Sequence, residues 1–120
     1  MPKHIKNPTI IKSAGNKPKL IEEFIGIVNS KTSKLSIARM KSPTGWIEPP
    51  QTPEFDEYTV VLKGTVHVQT EYMEFDINAN EAFIAEKGVK IQYSTPGPEG
   101  AEYIAVCLPA FSPDTVHREE

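Results

Sequence analysis

The sequence predicts an all-β fold, a single-domain jelly-roll barrel, and three observations carry that expectation. Short runs of alternating apolar and polar residues recur along most of the chain, with no 3.6-residue period to mark an amphipathic helix. Eleven prolines and seven glycines are spread through 120 residues, which favours many short elements joined by tight turns. A chain of this length with 38% apolar residues suits one core, able to bury roughly two-thirds of the surface its unfolded form exposes. No internal repeat or low-complexity tract suggests a second unit.

The expected organisation is a basic N-terminal arm over residues 1–19, a β-barrel over 20–112 and a C-terminal tail over 113–120. The arm holds three prolines and a Ser-Ala-Gly-Asn turn signal, with Thr9-Ile10-Ile11 as one edge-strand candidate. Leu20 to Val28 reads as a strand with Phe24, Gly26 and Val28 on one face and Glu23, Ile25 and Ile27 on the other. After a turn at 29–33, Lys34 to Met40 alternates Leu35, Ile37 and Arg39 against Ser36, Ala38 and Met40. Glu57 to Leu62 sets Glu57, Thr59 and Val61 against Tyr58, Val60 and Leu62. The wholly apolar face of this strand is expected to pack into the sheet sandwich, leaving Glu57 and Thr59 pointing into the barrel. A turn is expected at Gly64, after which Val66 and Val68 alternate with Thr65, His67 and Gln69. Tyr72 to Ile77, Glu81 to Ala85 and Lys90 to Ser94 are further strands. In the last, Ala101 to Leu108, Ile104, Val106 and Leu108 oppose Tyr103, Ala105 and Cys107. Eight short strands at near-even spacing argue for a double-sheet jelly roll.

Composition limits the function classes. Net charge is −3, yet residues 1–41 carry nine Lys or Arg against two acids, and residues 42–120 carry four against fourteen. The two parts therefore hold +7 and −10. Such asymmetry fits a basic segment lying over an acidic barrel, in the same subunit or in a partner. No aromatic interleaves with the early lysines to form a base-stacking surface, so nucleic acid is not expected as a partner. With a single cysteine, Cys107, no intramolecular disulfide is available, and no apolar run is long enough to span a membrane. A cytoplasmic protein is the default expectation, with no membrane partner. Cys107 lacks an adjacent histidine or cation and reads as a buried thiol.

The stretch from Gly45 to Gly64 holds the strongest pattern. It runs Gly45, five residues, Gln51-Thr52-Pro53, three residues, Glu57, six residues, Gly64. A second spacing starts at Asn80 and reaches Glu86, Gly88, Ile91 and Thr95, with Gly88 expected in a tight turn of positive φ. These two spacings resemble the paired motifs of the cupin superfamily. In those motifs, histidines stand where this chain has Gln51, Pro53 and Ile91, while Gly45, Glu57, Gly64 and Gly88 keep the motif identity. The resemblance implies a double-stranded β-helix, the cupin jelly-roll barrel. Within the superfamily, the chain is most similar to the ethanolamine-utilisation (EutQ-type) cupins. The residues carrying that likeness are Phe55-Asp56-Glu57-Tyr58, Val61 to Val68, Lys87 to Pro96, Tyr103 to Val106 and Pro109-Ala110-Phe111. It implies a link to ethanolamine metabolism or to acetate-kinase-like chemistry.

A cupin metal site gathers three imidazoles and a carboxylate on one ion. Here Glu57 is the one such ligand present, and Gln51 adds an amide oxygen. No cofactor is therefore expected. The alternative is a divalent metal such as Mg²⁺ or Ca²⁺ on Gln51 and Glu57, extended by water or Glu54. Glu57 is either a structural carboxylate satisfied by neighbours or an acid/base group whose pKa an apolar interior raises. His67 is either an exposed strand residue or, facing inward, a second acid/base candidate. Tyr93 and Tyr103 fall on inferred inward faces, and Trp46 is a lid or an anchor of the motif loop. His4 and His117 lie in the terminal segments, where His117 could close over the barrel mouth.

Two function classes are open. One is a small-molecule binding or accessory barrel lined by Trp46, Gln51, Glu57, Tyr93 and Tyr103. The other is an enzyme using the same cavity, by metal-independent isomerase or epimerase chemistry at Glu57 or by a divalent-metal reaction. A homodimer is expected in either case, with the Pro-punctuated basic segment covering an edge of the neighbouring barrel.

Overall fold

The computed structural model describes residues 1–119. It contains nine strands: β1 (Thr9–Ile11), β2 (Leu20–Ile25), β3 (Ser36–Ser42), β4 (Trp46–Ile47), β5 (Asp56–Thr70), β6 (Glu74–Asn78), β7 (Ala82–Ala85), β8 (Ile91–Thr95) and β9 (Ala101–Leu108). All pairings are antiparallel. Among the described residues, no helix is long and apolar enough to cross a membrane.

The architecture turns on β5, whose 15 residues serve two layers. Its first half pairs with β7 on one side and β9 on the other, and β9 continues through β3 and β2 to β1. Its second half pairs with β6 and with β8, and β8 carries the short β4. The two layers curl over one interior, as the jelly-roll expectation required. The turn expected at Gly64 is absent, and the strand instead bends there. A register shift between Val61 and Lys63 introduces the bend. Gly64 has φ +72°, and a Cβ at this position would sit 2.0 Å from the carbonyl oxygen of Gly100. Only glycine lets the two backbones cross so closely. Two expected strands are therefore one, and β1 and β4 bring the number to nine.

Period-2 alternation fills the interior from every layer. Ser36, Ala38 and Ser42 of β3, Thr59, Val61, Val66 and Val68 of β5, Ile91, Tyr93 and Thr95 of β8, and Ala101, Tyr103, Ala105 and Cys107 of β9 are buried. Trp46, Val61, Val66 and Val68 are fully buried within the larger core cluster. Each such side chain contributes about 1.5–3 kcal/mol relative to exposure. A smaller cluster of Phe55, Cys107 and Val116, with Phe111 against it, packs under the C-terminal segment.

The parity of β5 corrects one expectation. Glu57 and Thr59 do point inward, but Tyr58, Val60 and Leu62 lie on the outer face and are exposed rather than packed in the sandwich. The reason is the pairing with β7 and β9, whose inward residues Phe83, Ala85, Ala105 and Cys107 share the side of Glu57 and Thr59. Parity along β2 likewise buries Glu23 rather than Phe24. The Glu23 carboxylate accepts the backbone N–H groups of Val28 (3.1 Å) and Asn29 (2.8 Å), which closes the β2–β3 turn. Gly88 has the positive φ expected of its turn, +82°.

Both terminal segments join the barrel. β1 pairs with β2 of the same chain. Residues 14–17 then dock on β4 like a strap. Trp46 Nε1 donates to the Ala14 carbonyl at 3.0 Å, Ile47 N donates to Asn16 Oδ1 at 2.7 Å, and Asn16 N donates to the Ile47 carbonyl at 3.0 Å. At the other end, Glu54 N donates to the Thr115 carbonyl, Thr52 N to that of His117, and Glu119 N to that of Pro50. Residues 115–119 thus hydrogen-bond along the motif loop, with Arg118 in an isolated antiparallel bridge to Gln51.

Candidate functional site

The barrel encloses a cavity of about 60 Å³. Its walls include all five residues the sequence assigned to ligand binding, Trp46, Gln51, Glu57, Tyr93 and Tyr103. Each arrives by strand parity: Glu57 from β5, Tyr93 from β8 and Tyr103 from β9, with Trp46 on β4 and Gln51 in the following loop. Gln51 is locked by a backbone exchange with Ile91, N to O at 2.9 Å and 2.8 Å. Trp46 acts as a wall that anchors the strap.

Thr59, which the alternation of β5 already pointed inward, and three side chains that strand patterning did not single out, Lys19, Glu48 and Arg118, complete the site. Lys19 Nζ enters from the end of the strap, donating to Tyr103 Oη at 3.0 Å and lying 4.0 Å from the centre of the Trp46 ring. Tyr103 Oη also pairs with Ser42 Oγ at 3.0 Å. Arg118 enters from the C-terminal segment, its guanidinium 5.5 Å from the centre of the Phe111 ring. The basic surplus of the first 41 residues thus supplies one cation to the interior of its own barrel, and the C-terminal segment supplies the other.

The electrostatics turn on two of the three carboxylates on these walls, Glu48 and Glu57, the third, Glu23, being met by backbone N–H groups of its own turn. Desolvation by burial pushes the Glu57 carboxyl up to about 7, with the neighbouring Glu48 adding to the shift and Lys19 and Arg118 opposing it. Burial also raises Glu48, again opposed by Lys19 and Arg118. Tyr93 is driven well above the usual phenol range by desolvation and by the two carboxylates, so its hydroxyl stays protonated. Cys107, at the cavity's edge, is raised by burial and then by Glu57, which makes it a poor nucleophile.

Four buried polar atoms along these walls have no hydrogen-bond partner within the chain, among the described residues: Gln51 Oε1, Thr59 Oγ1, Tyr93 Oη and Arg118 Nε. An unpaired buried polar group costs about 1–3 kcal/mol, and such groups are few in a folded domain. Four in one cavity mark a surface shaped to meet something polar.

His67 is not brought to the cavity. Val66 and Val68 take the inward positions, so the imidazole between them lies outside, with Nδ1 2.7 Å from Asp76 Oδ1 and Nε2 2.9 Å from Glu74 Oε1. Asp76 first, then Glu74, hold it above its ordinary value. Its candidate catalytic role is therefore withdrawn. His117 bonds to Glu54 on the surface of the C-terminal segment, which also removes Glu54 from any inward donor set.

The donor set does not match a four-ligand transition-metal centre. Gln51 and Glu57 are the oxygen donors at the motif positions, Pro53 has no side-chain donor, and Ile91 is packed in the core. Among the described residues, no three His, Cys, Asp or Glu side chains are grouped to hold an ion.

No family model matches the sequence. A curated relative, the protein named endoribonuclease YbeY from Myxococcus xanthus (strain DK1622), is 41% identical over 101 residues, 84% of this chain and 34% of that protein. The chain thus spans about a third of the length of the curated relative it matches. Among solved structures, the EutQ protein of Clostridium difficile superposes with a TM-score of 0.65 at 23% identity, over 79% of this chain and 65% of that one. A predicted oxalate decarboxylase from Thermotoga maritima superposes with a TM-score of 0.73 at 17% identity, over 91% and 99% of the two chains. The double-layered strand order and these likenesses agree: the chain has the cupin barrel fold, with EutQ among its structural neighbours.

Proposed function

We propose that this protein is a small-molecule binding barrel, working as a homodimer, in which Glu57 exchanges a proton with the bound ligand. The observation that supports this reading is the cluster of unpartnered buried groups, Gln51 Oε1, Thr59 Oγ1, Tyr93 Oη and Arg118 Nε, around a carboxyl whose pKa stands near working pH. Buried polar groups without partners destabilise a fold unless a ligand satisfies them. The enclosed volume favours a ligand of a few non-hydrogen atoms, far smaller than a nucleotide, which weighs against RNA chemistry of the kind named for the Myxococcus relative.

The second reading is an enzyme using Glu57 as general acid and base. Its pKa of about 7 favours it, because a group poised near ambient pH can both give and take a proton. Glu57→Gln separates the two. In a binding barrel the variant keeps ligand affinity within a few-fold and loses only its pH dependence. In an enzyme it abolishes turnover of the same ligand. Elemental mass spectrometry on untagged protein purified without chelator tests both against a metal centre: a stoichiometric metal lost in Glu57→Ala would replace them.

The homodimer is supported by the outer face of the layer containing β9. Antiparallel sheets with one solvated face carry polar residues there. Here Ile37, Val106, Tyr58 and Ile84 form one cross-strand row, and Ile104, Val60 and Ala82 continue a second. Tyr58, Val60, Leu62, Ile84 and Leu108 are 39–62% exposed. A contiguous apolar sheet face of this kind marks a contact surface, and a self-complementary face suits a two-fold dimer.

A further inference from the structure

Resting on the reading of the barrel as a binding site, we propose that its ligand is a small 2-hydroxy carboxylate, its carboxylate held by Arg118 and Lys19 and its hydroxyl donating to Gln51 or Glu57. Three observations select this class.

The first is size. A cavity needs about 10–15 Å³ to admit one water, so about 60 Å³ leaves room for a ligand of a few non-hydrogen atoms. That is the size of a two- or three-carbon acid bearing one hydroxyl.

The second is charge. Lys19 and Arg118 are the two basic side chains on the walls, set among acids, neutral polar groups and apolar residues. Glu48 and Glu57 repel each other and are both disfavoured as anions by burial. The third carboxylate of the wall, Glu23, is already met by the backbone N–H groups of Val28 and Asn29, so with Glu48 or Glu57 neutral Lys19 and Arg118 face one remaining carboxylate, and a monoanionic ligand supplies the second. Arg118 Nε, a donor without an acceptor among the described residues, points to where that anion docks.

The third is the remaining hydrogen-bonding pattern. Gln51 Oε1 requires a donor, while Tyr93 and Thr59 hydroxyls can give or accept one. A ligand hydroxyl meets these needs. An ammonium in its place would call for both carboxylates to be ionised together, against their mutual repulsion and the apolar surroundings. A neutral diol would leave Arg118 Nε without an anion.

Three probes of nearly equal size separate these contributions: glycolate, glycine and ethylene glycol. Isothermal titration calorimetry on the full chain is expected to show glycolate binding, with glycine and ethylene glycol at least about tenfold weaker, because a charge-assisted hydrogen bond is worth roughly ten- to a hundredfold in affinity. Arg118→Gln is expected to weaken glycolate by a similar factor while leaving ethylene glycol unchanged. If Arg118→Gln fails to fold, Tyr93→Phe serves instead, with a several-fold loss for glycolate expected. Equal binding of glycine removes the hydroxyl assignment, and equal binding of ethylene glycol removes the anion site. Absence of glycolate and L-lactate binding overturns the proposal altogether. In that event, an NMR screen of small polar fragments decides the broader reading: any fragment that shifts amides around Gln51 and Glu57 keeps a binding barrel, and none removes it.

Discussion

Gln51 and Arg118 face each other across an isolated antiparallel bridge, and each leaves a buried side-chain polar atom unpaired in the same cavity. The motif loop and the C-terminal segment are therefore two sides of one structure. A segment that looks like a tail in sequence acts as a wall of the site, carrying a cation inward on a backbone pinned to residues 50–54.

Removing that wall tests its role. Truncation after Pro113 deletes three backbone hydrogen bonds to the motif loop and the buried Val116. Counting about 1 kcal/mol per hydrogen bond and 1.5–3 kcal/mol for the valine, a loss of about 4–6 kcal/mol is expected. Urea unfolding measures it. Arg118→Gln, which keeps the backbone pairing, is expected to cost much less, so a truncation no more destabilising than the point variant would show that the segment is not part of the folded unit.

Stability should fall with rising pH because of Glu57. Its folded pKa, about 7, lies above the ordinary 4.5, so between these values the unfolded chain has lost a proton that the native state keeps. The unfolded state binds fewer protons there, and the slope of stability against pH is negative. Below about pH 4.5 the contribution is fully present; it is lost as pH rises and levels off above about 7. The full span is about 3 kcal/mol at 1.36 kcal/mol per unit. Glu57→Gln removes this component. Denaturation at pH 5 and pH 8 should therefore show the natural protein losing more stability across the interval than the variant, and parallel losses would mean that the carboxyl is solvated.

Gly15 holds the strap down. Its φ is +120°, and an added Cβ would lie 2.6 Å from Trp46 Nε1 and 2.7 Å from the Ile47 carbonyl oxygen. Gly15→Ala must therefore break the Trp46–Ala14 hydrogen bond or lift residues 14–17 from β4. A cost of about 1–3 kcal/mol is expected. Trp46 is the one tryptophan in the chain, so its fluorescence reports the event directly. A red-shifted emission in the folded variant is expected, and an unshifted spectrum would place the strap's hold elsewhere.

How far the sequence could be read depends on which contacts are local. Alternation in β5, β8 and β9 placed Glu57, Tyr93 and Tyr103 inside because parity is a property of each strand alone. The outward face of Tyr58, Val60 and Leu62 is not legible in the sequence for the opposite reason. An apolar face reads as core unless a partner surface is known, and only the pairing with β7 and β9 assigns it to the outside. Gly64 looked like a turn because positive φ serves bends as well as hairpins, and the crossing with Gly100 lies 36 residues away. Lys19, Glu48 and Arg118 carried no strand period at all. They meet through the strap and the C-terminal segment, contacts of long sequence separation that no local pattern encodes. The one available signal was the charge imbalance, which predicted basic residues over an acidic barrel without saying which ones.

The outer apolar face yields the last prediction. Tyr58 and Ile84 are direct cross-strand partners, and both stand exposed at the β7 end of the row that runs from Ile37 through Val106. A stable dimer needs about 800 Å² from each partner, and a desolvated aromatic with a large aliphatic beside it is the composition of an interface centre. Ile84→Lys places a charge there. Because the side chain points away from the core, the monomer should lose less than about 0.5 kcal/mol of intrinsic stability, whereas the dimer should dissociate. Light scattering across a range of protein concentrations reads this out: a dimer for the natural chain and a monomer for Ile84→Lys are expected. Unchanged dimers in the variant would move the interface to another face, with the exposed edge of β1 next to be tested. A natural chain that is monomeric at every concentration would remove the dimer.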